Sequence, residues 1–268
     1  MRIGISSYTY TWAIGVPGHP PAHPLGVFDL VERARSLGVP VLQVADNLPL
    51  DRLPEDDLDA LVESARALGV SVEVGTRGID AGHIARYLSL AQRLGSPVLR
   101  VIIAQEGREL TPDEAIAILK PQQGAFERAG VALAIENHDK FSTDELVHVV
   151  HELGTDWAGI CLDTVNSFGA LEGPGVVVDK LGPLAVNLHV KDFAVRRAEH
   201  MMGFEIEGRP AGQGRLDVPW LVDKLGGRDR EISAIIELWT PPGPTLEATI
   251  ATEAEWAEQS VRYLRDLL

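Results

Sequence analysis

Short apolar segments that favour β-strands alternate with longer amphipathic segments about eight times along the chain. The apolar segments are nearly continuous, which is typical of parallel strands buried on both faces. This pattern predicts strands over Arg2–Ser7, Val39–Ala45, Val70–Gly75, Pro97–Ile103, Val131–Glu136, Trp157–Leu162, Ala185–Val190 and Ile232–Leu238. The 3.6-residue period between them predicts helices over Leu25–Leu37, Pro54–Leu68, Asp80–Leu94, Thr111–Ala129, Ser142–Leu153, Gly175–Leu181, Val218–Leu225 and within Leu246–Leu268.

A recurring phrase marks the end of several helices. It reads SLGVPV at 36–41, ALGVSV at 67–72, RLGSPV at 93–98 and RAGVAL at 128–133. In each phrase a glycine stops a helix that leads directly into a buried strand. The stretches 8–24 and 193–215 contain many turn residues or polar residues and are predicted to be long loops.

Eight strand–helix units predict a parallel sheet covered by helices. Their number favours a single α/β domain over residues 1–268, a closed (β/α)8 TIM barrel. An open doubly wound sheet is the main alternative. No G-x-G-x-x-G follows the first strand, which weighs against a dinucleotide site.

Composition narrows the class of protein further. The net charge of −15 repels phosphate backbones, so we expect no nucleic-acid partner. Cys161 is the single cysteine, which excludes an internal disulfide. The N-terminus lacks a signal-peptide pattern, and no apolar run approaches the roughly 18 residues of a membrane span. We therefore expect a soluble, cytoplasmic protein without a membrane partner.

Four consecutive strands end in residues that can bind a metal. In such a barrel the carboxyl ends of the strands form the active site. There the sequence places Glu136, Asp163, His189 and Glu237. A buried charge at the end of an apolar strand is costly unless it is paired or metal-bound, and four such groups can share one cation. Three carboxylates and one imidazole suit one divalent ion, with Mn²⁺ favoured over Mg²⁺, Co²⁺ or Zn²⁺.

These residues and their order resemble the xylose-isomerase-like TIM-barrel superfamily of sugar isomerases and epimerases. The matching motifs are IEN at 135–137, C-x-D at 161–163, HVKD at 189–192, G-x-G-x-x-D at 212–217 and the glutamate at 237. The resemblance implies metal ligation by the four strand-end residues and a sugar as substrate. It also implies an isomerase mechanism, in which Glu136 and Glu237 move a proton through an ene-diolate.

The chain departs from that superfamily at three positions. Many relatives carry a histidine three residues after the strand-six aspartate, where this chain has Asn166. Abasic-site endonucleases of the superfamily use histidines from strands two and three to hold three zinc ions. Here those strands end in Asp46 and Thr76, so a nuclease site is not expected.

His138 suggests an alternative reaction. The E-N-H sequence at 136–138 resembles the metal-dependent C-glycoside deglycosidases of the same superfamily. That resemblance implies a lyase in which His138 acts as base in a β-elimination on a 3-oxo-glycoside, with a small partner subunit. A histidine hydrogen-bonded at the barrel rim is the structural alternative. A homo-oligomer and a catalytically silent, ligand-binding barrel also remain open, although the retained Glu237 argues against the latter.

Several polar and aromatic side chains are candidates for substrate binding. Lys191 could contact a substrate oxygen or pair with Asp192 or Glu237. Arg209 could reach over the cavity or remain solvated, and Arg100 could form an ion pair inside the barrel or contact substrate. The remaining candidates are Asn166, which replaces the histidine, and Trp12, which could form a wall for a sugar or simply pack.

Overall fold

Eight parallel strands close into a barrel in the computed structural model, which describes residues 1–268. The eight barrel strands are β1 Arg2–Ser6, β2 Val41–Val44, β3 Ser71–Arg77, β4 Val98–Ile102, β5 Ala132–Glu136, β6 Ala158–Asp163, β7 Ala185–Val190 and β10 Ser233–Ile236. Two further strands, β8 Asp192–Arg197 and β9 Phe204–Arg209, form a separate two-stranded sheet. Strands β1 to β7 pair in chain order, and β10 lies between β7 and β1. The predicted (β/α)8 barrel is therefore confirmed.

Helices cover the outside of the barrel. They are α1 Thr11–Ile14, α2 Val27–Leu37, α3 Glu55–Ala67, α4 Ala81–Leu94, α5 Pro112–Leu119, α6 Gln123–Ala129, α7 Thr143–Leu153, α8 Pro174–Leu181, α9 Val218–Lys224 and α10 Leu246–Leu267. No helix is long and apolar enough to cross a membrane.

Strand side chains alternate between two environments. In β7, Leu188 and Val190 belong to the large apolar core that also includes the helices. Asn187 and His189 alternate with them and are buried inside the barrel. Such buried polar groups need hydrogen-bond partners, and they form a hydrogen-bonded network inside the barrel. A separate small apolar cluster contains Val98, Ala134 and Cys161.

The predicted loop 8–24 begins with helical structure instead. Ser7–Tyr10 is a 3-10 helix, and α1 follows it directly. The N–H groups of Trp12 and Ala13 donate to the buried carboxylate of Glu253 on α10, at 3.0 and 3.1 Å. The partner lies more than 200 residues away in the chain, so local sequence carried no signal for this helix.

The predicted loop 193–215 contains the antiparallel hairpin of β8 and β9. The G-x-G-x-x-D motif that follows folds around Asp192. The N–H groups of Gly212 and Gly214 each donate to Asp192 Oδ2 at 2.9 Å. Gly212 has φ +82°, and a Cβ on Gly214 would lie 2.1 Å from Asp192 Oδ1, so both positions require glycine. The motif thus fixes the chain beside β7.

The predicted helix over Thr111–Ala129 is divided in two. A 3-10 segment, Lys120–Gln122, separates α5 from α6. Pro121 lies within it, and a proline has no N–H to continue an α-helical hydrogen-bond ladder. The sequence contained this signal, and the periodicity alone missed it.

Because of Glu253, we expect the free energy of unfolding to depend on pH. Burial raises its pKa from 4.5 to about 7, although its backbone hydrogen bonds and Arg33 oppose the shift. The folded protein therefore binds this proton more tightly than the unfolded chain does, and stability falls as pH rises from about 4.5 to 7. The expected loss is about 3 kcal/mol. Denaturant unfolding of Glu253→Gln at pH 5 to 8 should lack this decrease.

The matched control for that experiment is Glu258→Gln, which changes an exposed carboxylate on the same helix. It should follow the pH dependence of the unchanged protein. Parallel curves for all three proteins would show that Glu253 is not the group responsible.

Candidate metal centre

The structure brings the four strand-end side chains together. Glu136 and Asp163 are the last residues of β5 and β6, His189 lies near the end of β7, and Glu237 directly follows β10. The pairing register sets Asp163 opposite His189, which gives the two side chains the same height. Each of the four residues is at most 3% exposed.

The imidazole of His189 lies at the centre of the set. Its Nδ1 atom is 3.5 Å from Glu136 Oε2, 3.6 Å from Asp163 Oδ2 and 3.5 Å from Glu237 Oε1. Although it is buried, Nδ1 has no hydrogen-bond partner. Three carboxylates therefore surround one unsatisfied nitrogen.

The other ring nitrogen of His189 has a hydrogen-bond partner in Gln43. His189 Nε2 is 2.7 Å from Gln43 Oε1, which can only accept a hydrogen bond. Nε2 must therefore carry the proton, and the lone pair of a neutral ring then lies on Nδ1. A lone pair facing three carboxylate oxygens is repulsive unless a cation or a proton lies between them.

These observations fit a divalent metal ion. Separations of 3.5 to 3.6 Å from Nδ1 to each carboxylate match donor pairs that share one small ion at about 2.0–2.2 Å from each donor. Asp163, His189 and Glu237 all lie within metal-binding distance of one another, and Glu136 lies within it of His189. Burial alone would lower the pKa of His189, but the neighbouring carboxylates of Glu237, Glu136 and Asp163 raise it well above its usual value. A proton on Nδ1 thus provides, in the metal-free chain, part of the positive charge that the ion would supply.

Two further cations belong to the centre. Lys191 Nζ lies 2.8 Å from Asp163 Oδ2 and 2.8 Å from Glu237 Oε2. The guanidinium of Arg100 pairs with Glu136 and, at 2.8 Å, with Asp46. Lys191 thus pairs with Glu237 rather than Asp192, and Arg100 forms an ion pair inside the barrel. Contact of either residue with a substrate stays a prediction.

The buried cations of this group do not balance its carboxylates. Glu136, Asp163, Glu237 and Asp46 bring four negative charges, the buried Arg100 and Lys191 bring two positive charges, and the partly exposed Arg77 beside Asp46 brings a third. A divalent ion would supply the missing positive charge. Such balance matters because an uncompensated buried charge costs several kcal/mol.

The remaining carboxylate oxygens are satisfied by neutral donors. Asn166 Nδ2 donates to Glu136 Oε1 at 2.7 Å, and Ser6 Oγ donates to Glu237 Oε1 at 2.9 Å. The backbone N–H of Asn166 donates to Asp163 Oδ1 at 2.8 Å. Asn166 thus supports two of the four candidate ligands.

Cys161 lies close to His189 but is a poor ligand. Glu136, Cys161 and His189 also fall within metal-binding distance of one another. Burial raises the pKa of the Cys161 thiol to about 11, and its Sγ donates to Asn187 Oδ1 at 3.4 Å. A protonated thiol does not bind a hard cation, so the oxygen-rich set is the better candidate.

The centre opens into a cavity of about 430 Å³ at the barrel mouth. The predicted residues that line it are Trp12, Arg100, Glu136, His138, Asn166, Lys191 and Glu237. Arg209 is not among the lining residues; its guanidinium instead hydrogen-bonds to the carboxylate of Glu207 at 2.6 Å.

Four polar residues of the cavity wall were not among the candidates from the sequence: Tyr8, Thr11, Arg77 and Thr240. Tyr8 donates to Asp46 Oδ2 at 3.2 Å, and Arg77 pairs with the same oxygen at 3.2 Å. The hydroxyl of Thr240 is buried without a partner. Arg77 ends β3 and was within reach of the strand-end rule, whereas Tyr8 and Thr240 lie outside the strands.

His138 lies at the rim of the cavity. Its side chain is 31% exposed, and Nδ1 is 2.5 Å from Asp139 Oδ1. Nε2 has no partner in the chain. The ring is therefore oriented by Asp139, with one nitrogen left for a substrate or solvent.

A closed (β/α)8 barrel with a candidate ligand set at its strand ends places the chain among the TIM barrels. The family model described as xylose isomerase-like TIM barrel matches residues 31–267. The chain belongs to this family, whose named relatives include enzymes that act on sugars.

Individual relatives agree with that assignment. The chain is 34% identical over 266 residues to 3-oxo-isoapionate decarboxylase of Pectobacterium atrosepticum, covering 98% of this chain and 95% of the relative. Among solved structures, a D-psicose 3-epimerase with D-fructose has a TM-score of 0.73 at 17% identity, covering 100% of this chain and 99% of that one. A xylose isomerase-like TIM barrel protein from Mycobacterium smegmatis in complex with magnesium has a TM-score of 0.65 at 15% identity, covering 98% and 97%. At these identities the two structures are evidence for the fold alone.

Metal binding can be measured directly. Metal-free protein titrated with Mn²⁺ in a calorimeter should bind one ion per chain. Asp163→Ala should weaken binding by at least about 100-fold, because loss of a ligand exceeds the effect of losing a supporting residue.

Cys161→Ala is the matched control, since it changes a buried residue that touches His189 without removing an oxygen ligand. Its affinity for Mn²⁺ should stay within about threefold of the unchanged chain. Equal losses in both variants would favour the cluster that contains the thiol, and no binding by the unchanged chain would exclude the site.

Proposed function

We propose that this chain is a divalent-metal-dependent lyase that decarboxylates a 3-oxo sugar acid, with Mn²⁺ as its resident ion. The reaction class is suggested by the name of the relative that is 34% identical. One observation at the site supports it. Each of the two glutamates that line the cavity is paired with a cation, which makes it a poor base toward a C–H proton.

Both glutamates are engaged by cations. Arg100 pairs with Glu136, and Lys191 pairs with Glu237. Burial would raise the pKa of Glu237, but the neighbouring charges of His189, Lys191 and Arg100 lower it. A carboxylate held in this way is a weak base, so this arrangement disfavours abstraction of a proton from a sugar.

Decarboxylation of a 3-oxo acid needs no base. The bond between the carboxyl carbon and C2 breaks, and its electron pair forms the C2–C3 double bond while the C3 carbonyl electrons move to oxygen. CO₂ leaves, and the resulting enolate takes one proton at C2 to give a ketone. The site must therefore stabilise negative charge on one oxygen and deliver one proton.

Residues of the cavity suit these tasks. A divalent ion held by Glu136, Asp163, His189 and Glu237 supplies Lewis-acid stabilisation of a carbonyl oxygen. The ammonium group of Lys191 donates a hydrogen bond to the same developing charge.

Two residues at the wall complete the proposed reaction. His138 is oriented by Asp139 through Nδ1; as the imidazolium it delivers the proton to C2 from Nε2, and solvent then returns a proton to the ring. Arg77 lines the cavity with 45% of its side chain exposed, and it attracts the carboxylate of the substrate.

Isomerisation or epimerisation of a free sugar, predicted from the sequence, is the second candidate. Glu136 and Glu237 both line the cavity, as that mechanism requires. It also requires both carboxylates to leave their cationic partners during the reaction. The β-elimination from a 3-oxo-glycoside is a variant of the lyase proposal in which His138 is the base.

A substrate panel read by NMR in D₂O tests the proposal. The Mn²⁺-loaded protein is given a 3-oxo sugar acid, a free ketose and a 3-oxo-glycoside. We expect CO₂ release above the uncatalysed rate, with one deuterium at the carbon that carried the carboxylate. Lys191→Gln should lower kcat by about 10²–10³-fold, as for loss of an oxyanion donor.

The same variant should bind Mn²⁺ at least as tightly as the unchanged protein, because a positive charge has been removed from beside the ion. Lys180→Gln changes a surface lysine that pairs with Asp144 and should keep full activity. Deuterium uptake into the ketose without CO₂ release would instead establish the isomerase, and release of the aglycone would establish the elimination.

A further inference from the structure

Glu73 is a buried carboxylate inside the barrel with no cationic partner. It lies in the middle of β3 and is 1% exposed. None of the ion pairs in the structure involves it. A buried charge without a counterion is costly, so its retention calls for a physical explanation.

Three donors satisfy this carboxylate. Ser233 Oγ donates to Oε1 at 2.5 Å. Gln43 Nε2 and Asn187 Nδ2 donate to Oε2 at 3.1 and 2.9 Å. Because an ionised carboxylate can only accept hydrogen bonds, it fixes which end of each amide faces it.

The orientation of Gln43 is determined from two sides. Its Nε2 also donates to Asn187 Oδ1 at 3.1 Å. Turning the amide over would place Gln43 Oε1 against two acceptors, Glu73 Oε2 and Asn187 Oδ1. Gln43 Oε1 therefore points away from Glu73 and toward the strand ends.

That oxygen sets the tautomer of the candidate ligand. Gln43 Oε1 is 2.7 Å from His189 Nε2, so Nε2 carries the hydrogen and Nδ1 presents its lone pair to the carboxylates. Hydrogen bonds from a second layer of residues commonly fix the ring orientation of a metal-binding histidine in this manner. Here the chain of contacts runs from Glu73 through Gln43 to His189.

We infer that Glu73 is a positioning residue for the metal centre and that it acts through Gln43 to keep Nδ1 of His189 available to the ion. The inference rests on the metal dependence that we proposed above, but not on which reaction the enzyme catalyses. It assigns a function to a residue that touches neither the ion nor the cavity at the barrel mouth.

The test is a double-variant cycle read by Co²⁺ binding. Glu73→Met removes the acceptor at similar size and should weaken Co²⁺ affinity by about 10–100-fold. Gln43→Met should weaken it to a similar extent. In the double variant the loss should equal that of Gln43→Met alone, because Glu73 acts through Gln43. Equal and additive losses would overturn the inference and leave Glu73 with a structural or purely electrostatic effect.

Ser233→Ala is the matched control, since it removes a hydrogen bond to Glu73 but leaves the acceptor for Gln43 in place. It should keep Co²⁺ affinity within about threefold. If the unchanged chain binds no Co²⁺, the proposed function fails; if it binds and Glu73→Met binds equally well, only this inference fails.

A second measurement begins with the unchanged chain, so its first result does not depend on the folding of any variant. NMR of zinc-loaded protein with ¹⁵N-labelled histidine should show the ring proton of His189 on Nε2, with slow solvent exchange. The Co²⁺ visible spectrum and this proton signal should both change in Glu73→Met. A ring proton on Nδ1 in the unchanged chain would contradict the inference.

Discussion

The centre depends on the confinement of like charges at the strand ends of a closed barrel. Glu136, Asp163 and Glu237 are nearly inaccessible to water, and each has an oxygen within 3.6 Å of His189 Nδ1. Such an arrangement is stable only when positive charge lies among the carboxylates. Lys191 and Arg100 supply part of that charge, and a divalent ion is the natural source of the rest.

The surrounding structure serves to hold these charges in place. The glycine motif wraps around Asp192, so the segment that follows β7 is fixed where Lys191 can reach two candidate ligands. Glu253 caps α1, which carries Trp12 to the cavity wall. Pairing register, loop hydrogen bonds and a distant helix cap thus act on one centre. The cations that stabilise this centre also lower the pKa of Glu237 against the effect of its burial.

Sequence patterns predicted the barrel and the proximity of the four candidate ligands. Both predictions were possible because the alternation and the end of each strand can be read from local sequence, and a closed barrel sets the strand ends side by side. They did not predict α1, whose N–H groups bind Glu253 far along the chain. They also did not predict the hairpin of β8 and β9, beside which backbone N–H groups bind Asp192. For Arg209 the sequence left two alternatives open, a position over the cavity or in solvent. In the structure Arg209 pairs with Glu207 and does not line the cavity. The contacts of Glu73 and Thr240 likewise required three-dimensional information.

The central claim is that the four strand-end residues hold one ion through Nδ1 of His189. Crystals grown with Mn²⁺ and measured at the manganese absorption edge test it most directly. We expect one anomalous peak at about 2.0–2.2 Å from Nδ1 and from an oxygen of Glu136, Asp163 and Glu237. Absence of a peak among these atoms at saturating Mn²⁺, or ligation through Nε2, would contradict it.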